Sequence, residues 1–135
     1  MKISAPFTPT KWDEADYGPI HEGTKTTKAS VEYTFSDPLS GVATVEYLMF
    51  YSAFDPNDMH AAEASFVGII RFTGSLLGKS GTFTLQESGT FSGGVVNSTL
   101  RILAGSGIGE LKALSGSGTS IADSNGAKWD LEISI

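Results

Sequence analysis

The chain has 135 residues, a formal charge of −6 and only 18% charged residues, where a usual domain has about 25%. One domain is the expectation from length. The 16 Gly and 5 Pro argue against long helices, and the absence of Cys excludes a disulfide framework and thiolate chemistry. The acidic balance argues against a surface that tracks nucleic-acid phosphates. No apolar run approaches the roughly 20 residues of a membrane helix, and Met1-Lys2-Ile3-Ser4 leads into no apolar signal segment. A soluble cytoplasmic protein is expected.

Gly, Ser and Thr are spread along the chain, and the segments between them repeat with the two-residue period of strands. A first strand is expected within Lys2 to Thr10, as part of an N-terminal arm of about 23 residues that Trp12 pins down. In Lys28 to Phe35, Val31, Tyr33 and Phe35 share one face, the pattern of a half-buried antiparallel strand. Asp37-Pro38-Leu39-Ser40-Gly41 turns the chain. Val42 to Phe54 carries bulk on both faces: if Val42, Leu48 and Phe50 point inward, then Val45, Tyr47, Met49 and Tyr51 are left outside. Such a two-sided strand must be covered by the arm or by another subunit, so a homo-oligomer, dimer or trimer, is expected.

Ala61 to Phe72 puts Ala64, Phe66, Ile70 and Phe72 in one phase, and the only helical reading, Met59 to Ala64, allows one or two turns. Thr82 to Phe91 aligns Phe83, Leu85 and Phe91, and Gly93-Gly94 signals a tight hairpin. Val95 to Ala104, Gly107 to Leu114 and Ala127 to Ile135 complete about eight strands. Few of them carry edge-protecting Lys or Pro, which favours a closed antiparallel eight-stranded barrel over a sandwich. Its lumen would be just wide enough for side chains or one small ligand.

Two glycine-punctuated stretches, Phe72-Thr-Gly-Ser-Leu-Leu-Gly-Lys-Ser-Gly-Thr-Phe-Thr-Leu-Gln86 and Ala104-Gly-Ser-Gly-Ile-Gly-Glu-Leu-Lys-Ala-Leu-Ser-Gly-Ser-Gly118, go beyond generic hairpins. In this order they resemble the signature of a bacterial family of unknown function with the allene-oxide-cyclase-like barrel. The resemblance covers roughly Gly68 to Leu131 and implies a closed antiparallel barrel without implying an activity. Many relatives have a His where this chain has Glu87, a carboxylate at Ile70 and a His at Lys128. The chain therefore keeps only part of any polar site those positions form.

Gly74 to Ser80 is one residue short of a phosphate loop and is followed by a strand pattern where a helix is required, so it reads as a hairpin turn. Asp55-Pro56-Asn57-Asp58 with His60 lacks ligand spacing, and no metal or cofactor is expected. Asp13-Glu14-Ala15-Asp16 reads as an exposed charged segment. The informative polar residues are carboxylates in apolar phase. Glu87 aligns with Phe83, Leu85 and Phe91, and Glu46 aligns with Val42, Leu48 and Phe50. Each either enters the lumen, where lost solvation raises its pKa, or sits solvated at a rim. Tyr33 adds a hydroxyl in the clearest inward phase.

The leading functional expectation is a barrel that binds a small apolar molecule, with Phe66, Phe72, Phe83 and Leu85 as walls and Glu46 or Glu87 as polar anchor. A structural barrel with a filled core, and an isomerase or cyclase resembling allene oxide cyclase, are the alternatives. No catalytic motif is present to decide for an enzyme.

Overall fold

The computed structural model describes residues 1–58 and 61–135, so His60 lies outside the described residues. The fold is a single antiparallel sheet of nine strands: β1 Lys2–Asp16, β2 Lys25–Phe35, β3 Leu39–Ala53, β4 Glu63–Leu76, β5 Lys79–Ser92, β6 Val95–Ile102, β7 Ile108–Gly109, β8 Ser115–Asp123 and β9 Gly126–Ser134. Hydrogen bonding runs β4-β3-β2-β1-β9-β8-β6-β5, and β5 pairs again with β4. Eight strands thus form a closed ring of pairing with no free edge among them, and β7 is a two-residue bridge to β5. Among the described residues no helix is long and apolar enough to cross a membrane.

Several boundaries differ from the sequence expectation. The segment expected as an arm forms a 15-residue strand bonded to β2 and β9, and only the stretch after Asp16 lies outside it. Glu63 and Ala64, the end of the short helical reading over Met59 to Ala64, already belong to β4, while residues 59–60 are not described. Gly107 to Leu114 contributes only β7, and the true next strand is β8, Ser-Gly-Ser-Gly-Thr-Ser-Ile-Ala-Asp. Its residues are too small to show an apolar phase, and Ser120 is the one it buries.

The inward phase of β3 is also the reverse of the one that would carry Glu46 inside. Cross-strand partners share a face, and β3 pairs Val45 with Val31, Ala43 with Tyr33 and Tyr47 with Ala29. Because Val31, Tyr33 and Phe35 are core residues, Ala43, Val45, Tyr47, Met49 and Tyr51 must be core as well, and they are buried. Val42, Leu48 and Phe50 stand outside beside Val67 and Ile69 of β4. Whatever the chain's oligomeric state, the outer apolar residues of β3 are Val42, Leu48 and Phe50, not Val45, Tyr47, Met49 and Tyr51.

The two glycine-rich stretches meet at one end of the ring. Glu110 accepts from the Ser80 amide through its side chain (3.0 Å) and donates its own amide to the Ser80 carbonyl (2.9 Å). Ser106 Oγ bridges the amide and carbonyl of Thr84 at 3.1 and 3.2 Å. Gly81 is required there, since a Cβ would fall 2.1 Å from the Ile108 carbonyl oxygen. The segment so held sends Leu111 and Leu114 into the core, where they join Leu39, Leu76, Phe72 and Phe83.

Candidate functional site

At the opposite end, where the β5–β6 and β8–β9 hairpins lie, a cavity of about 270 Å³ opens into the ring. Phe7, Trp12, Tyr33, Tyr47, Met49, Tyr51, Phe66, Phe91, Val96 and smaller residues line it. A β-bulge in β1 sets much of its rim. The register slips between Pro9 and Lys11, so Ile3, Ala5 and Phe7 face inward before the slip, whereas Trp12 and Glu14, opposite the core residues Val31 and Ala29, face inward after it. Bulges re-aim side chains in this way. Trp12 stacks on Tyr47 with ring centroids 6.2 Å apart.

Beneath this rim is a buried polar chain. Tyr47 donates to Glu87 Oε1 at 2.6 Å, Ser98 donates to Glu87 Oε2 at 2.5 Å, and the Tyr33 and Tyr47 hydroxyls lie 2.9 Å apart. The single Tyr47 proton is committed to Glu87, so Tyr33 donates to Tyr47. Gly68 makes the reach possible: it lies between Tyr47 and Glu87 in the register, and a Cβ there would stand 2.6 Å from Tyr47 Cδ1. Burial pushes the Glu87 carboxyl above the usual carboxylate range, opposed by the Ser98 and Tyr47 hydrogen bonds. The Tyr47 hydroxyl is held protonated by burial first and by the Glu87 charge second, and Tyr33 likewise by burial first.

A second polar group sits at the rim. Glu14 Oε2 accepts from Thr27 at 2.6 Å and from Tyr51 at 2.7 Å, while its Oε1 accepts from Trp12 Nε1 at 3.0 Å. Burial, and then the bond to Glu14, raise the Tyr51 pKa. Lys25 completes the rim, 3.4 Å from Asp16 Oδ1 and over the rings of Tyr51 and Phe54, 5.4 and 4.6 Å from their centroids.

The structure thus brings together only part of the expected set. Glu87 is 2% exposed, and Tyr33 and Phe66 line the cavity. Phe72, Phe83 and Leu85 are fully buried but belong to the capped half and do not line it. Glu46 is corrected outright: it is exposed on the outer face and accepts from Ser30 at 2.7 Å. Sequence reasoning missed Trp12 and Glu14, whose phase the bulge inverts, and set aside Tyr47 and Tyr51, whose pairing with β2 was the usable signal. Among the described residues no three His, Asp or Glu side chains converge as a metal site would need.

No curated protein matches the chain. A crystal structure of a protein of unknown function from Shewanella oneidensis MR-1, assigned to the DUF3224 family, is similar in fold: TM-score 0.77 at 21% identity, covering 100% of this chain and 96% of that one. Residues 3–133 match the family described as "Protein of unknown function (DUF3224)", so the chain belongs to DUF3224.

Proposed function

We propose that the ring is a barrel of the allene-oxide-cyclase-like kind that binds a small, largely apolar molecule in the cavity at its open end. The cavity itself carries the reading: about 270 Å³ of largely apolar-walled space opens at this end, while Phe72, Phe83 and Leu85 in the capped half are fully buried. Binding sites for drug-sized molecules span about 300–1,000 Å³, so the fitting occupant is smaller, on the scale of one substituted ring. Glu87 fixes Tyr47 from behind rather than meeting the occupant, and the hydroxyls of Tyr33 and Tyr47 give the floor its polar point. Equilibrium dialysis against tert-butylbenzene tests this. Saturable binding is expected, weakened by Ala122→Leu, which narrows the half-exposed rim. Non-saturable uptake, or binding indifferent to Ala122→Leu, would overturn the reading in favour of a structural ring.

A further inference from the structure

The side chains of the open end share a chemical bias that the cavity's shape alone does not show. Of the described residues that line it, only Trp12, Tyr33, Tyr47 and Tyr51 carry a side-chain N–H or O–H. Each of those protons is already used. Trp12 and Tyr51 donate to Glu14, Tyr47 donates to Glu87, and Tyr33 donates to Tyr47. An occupant therefore meets ring faces and lone pairs and finds no side-chain donor, so a carboxylate or phosphate has nothing to hold it. Among the described residues no Lys, Arg or His forms an ion pair with Glu14 or Glu87. Lys25, the rim's cation, is paired to Asp16, and its ammonium rests over the rings of Tyr51 and Phe54, so the Tyr51 ring already faces a positive charge while Trp12 and Tyr47 carry none. Aromatic faces attract cations through their quadrupole, and donation from Trp12, Tyr47 and Tyr51 to carboxylates makes those rings more electron-rich.

Resting on the cavity reading above, we propose that the open end selects a small organic cation, an alkyl- or arylammonium, seated on the faces of Trp12 and Tyr47, with Glu14, which is exposed at the rim and bonded to Trp12, as its counter-charge. The β1 bulge is the device that creates this preference, because without the slip at Thr10 neither Trp12 nor Glu14 would stand on the inner-face side of the strand, opposite Val31 and Ala29.

A matched pair of probes separates charge from shape. Phenyltrimethylammonium and tert-butylbenzene have the same outline and differ by one positive charge, and equilibrium dialysis measures both on the intact chain. The cation is expected to bind about tenfold more tightly. Glu14→Gln keeps one accepting oxygen, for Thr27 and Tyr51, but sets an amide NH2 against Trp12 Nε1; it should lower cation affinity more than tert-butylbenzene affinity, so that the ratio between the two falls toward one. Glu46→Gln changes net charge equally on the outer face and should leave both affinities unchanged. Equal affinity of wild type for the two probes, or equal losses from Glu14→Gln and Glu46→Gln, overturns the cation preference while leaving the cavity reading standing. Failure of both probes to bind removes the cavity reading itself.

Discussion

At the capped end, Phe35 meets Phe72 edge-on with centroids 5.8 Å apart, Phe72 meets Phe83 at 5.1 Å, and Trp129 closes on Phe35 at 4.4 Å. At the open end Tyr47 meets Phe66 at 5.2 Å and Trp12 at 6.2 Å, and a cavity remains between them. The same strands, with the same alternation, supply both halves. Apart from the Trp129 indole nitrogen, the rings of the capped half named here, Phe35, Phe72 and Phe83, carry no polar atom and pack by shape alone. The single buried side-chain polar atom without a partner among the described residues, Trp129 Nε1, lies there. Rings in the open half carry hydroxyl and indole donors that must reach carboxylates, and satisfying those donors fixes the rings in positions that leave space between them. One end of the interior is built for stability and the other for specific placement of polar groups.

Truncation should expose that contrast most strongly. Phe72→Ala is expected to cost about 3–5 kcal/mol by urea denaturation, while Phe66→Ala, beside space that already exists, should cost clearly less. Equal losses would mean that the open half is packed as tightly as the other. Next in size, Gly68→Ala should cost about 1–3 kcal/mol, because the new methyl displaces the Tyr47 ring, and it should shift the tyrosine near-ultraviolet signal with it. A Gly68→Ala protein as stable as wild type would show that Tyr47 is not held as described.

The polar floor gives a pH signature. Since the Glu87 pKa is raised on folding, the native state binds more protons than the unfolded chain in the window from the ordinary carboxyl value of about 4.3 up to its raised value. Stability arising from this group is therefore fully present below that window and declines as pH rises through it. In Glu87→Gln the decline should be absent, as read from urea midpoints across the mildly acidic to neutral range. A parallel profile for the two proteins would rule out a raised Glu87. The smallest effect is expected outside the ring: Leu48→Ser, next to Tyr47 in sequence but on the exposed face, should stay within about 0.5 kcal/mol.

Where one face of a strand was plainly polar, the sequence was sufficient. Val31, Tyr33 and Phe35, and Phe83, Leu85 and Glu87, fall on the inside as their alternation indicates. Burial of Glu87 could be read because its neighbours two residues away are apolar. The alternation in β3 was ambiguous because Leu48 and Phe50 match Tyr47 and Met49 in bulk, and only pairing with β2 decides between them. Glu46 was misplaced for that reason. Glu14 was hidden by a different cause, since a one-residue bulge leaves no mark in composition while inverting every side chain after it. β8 stayed invisible because Gly and Ser give no apolar phase to count.

Methyl resonances distinguish the two halves of the interior directly. With phenyltrimethylammonium added to the intact chain, the methyls of Met49, Val96 and Ala122, which line the cavity, should shift saturably, while those of Leu39, Leu76 and Leu111 in the capped half stay fixed. Shifts confined to Leu48, Val67 and Ile69 on the outer face, or no saturable shift at Met49, would contradict the account.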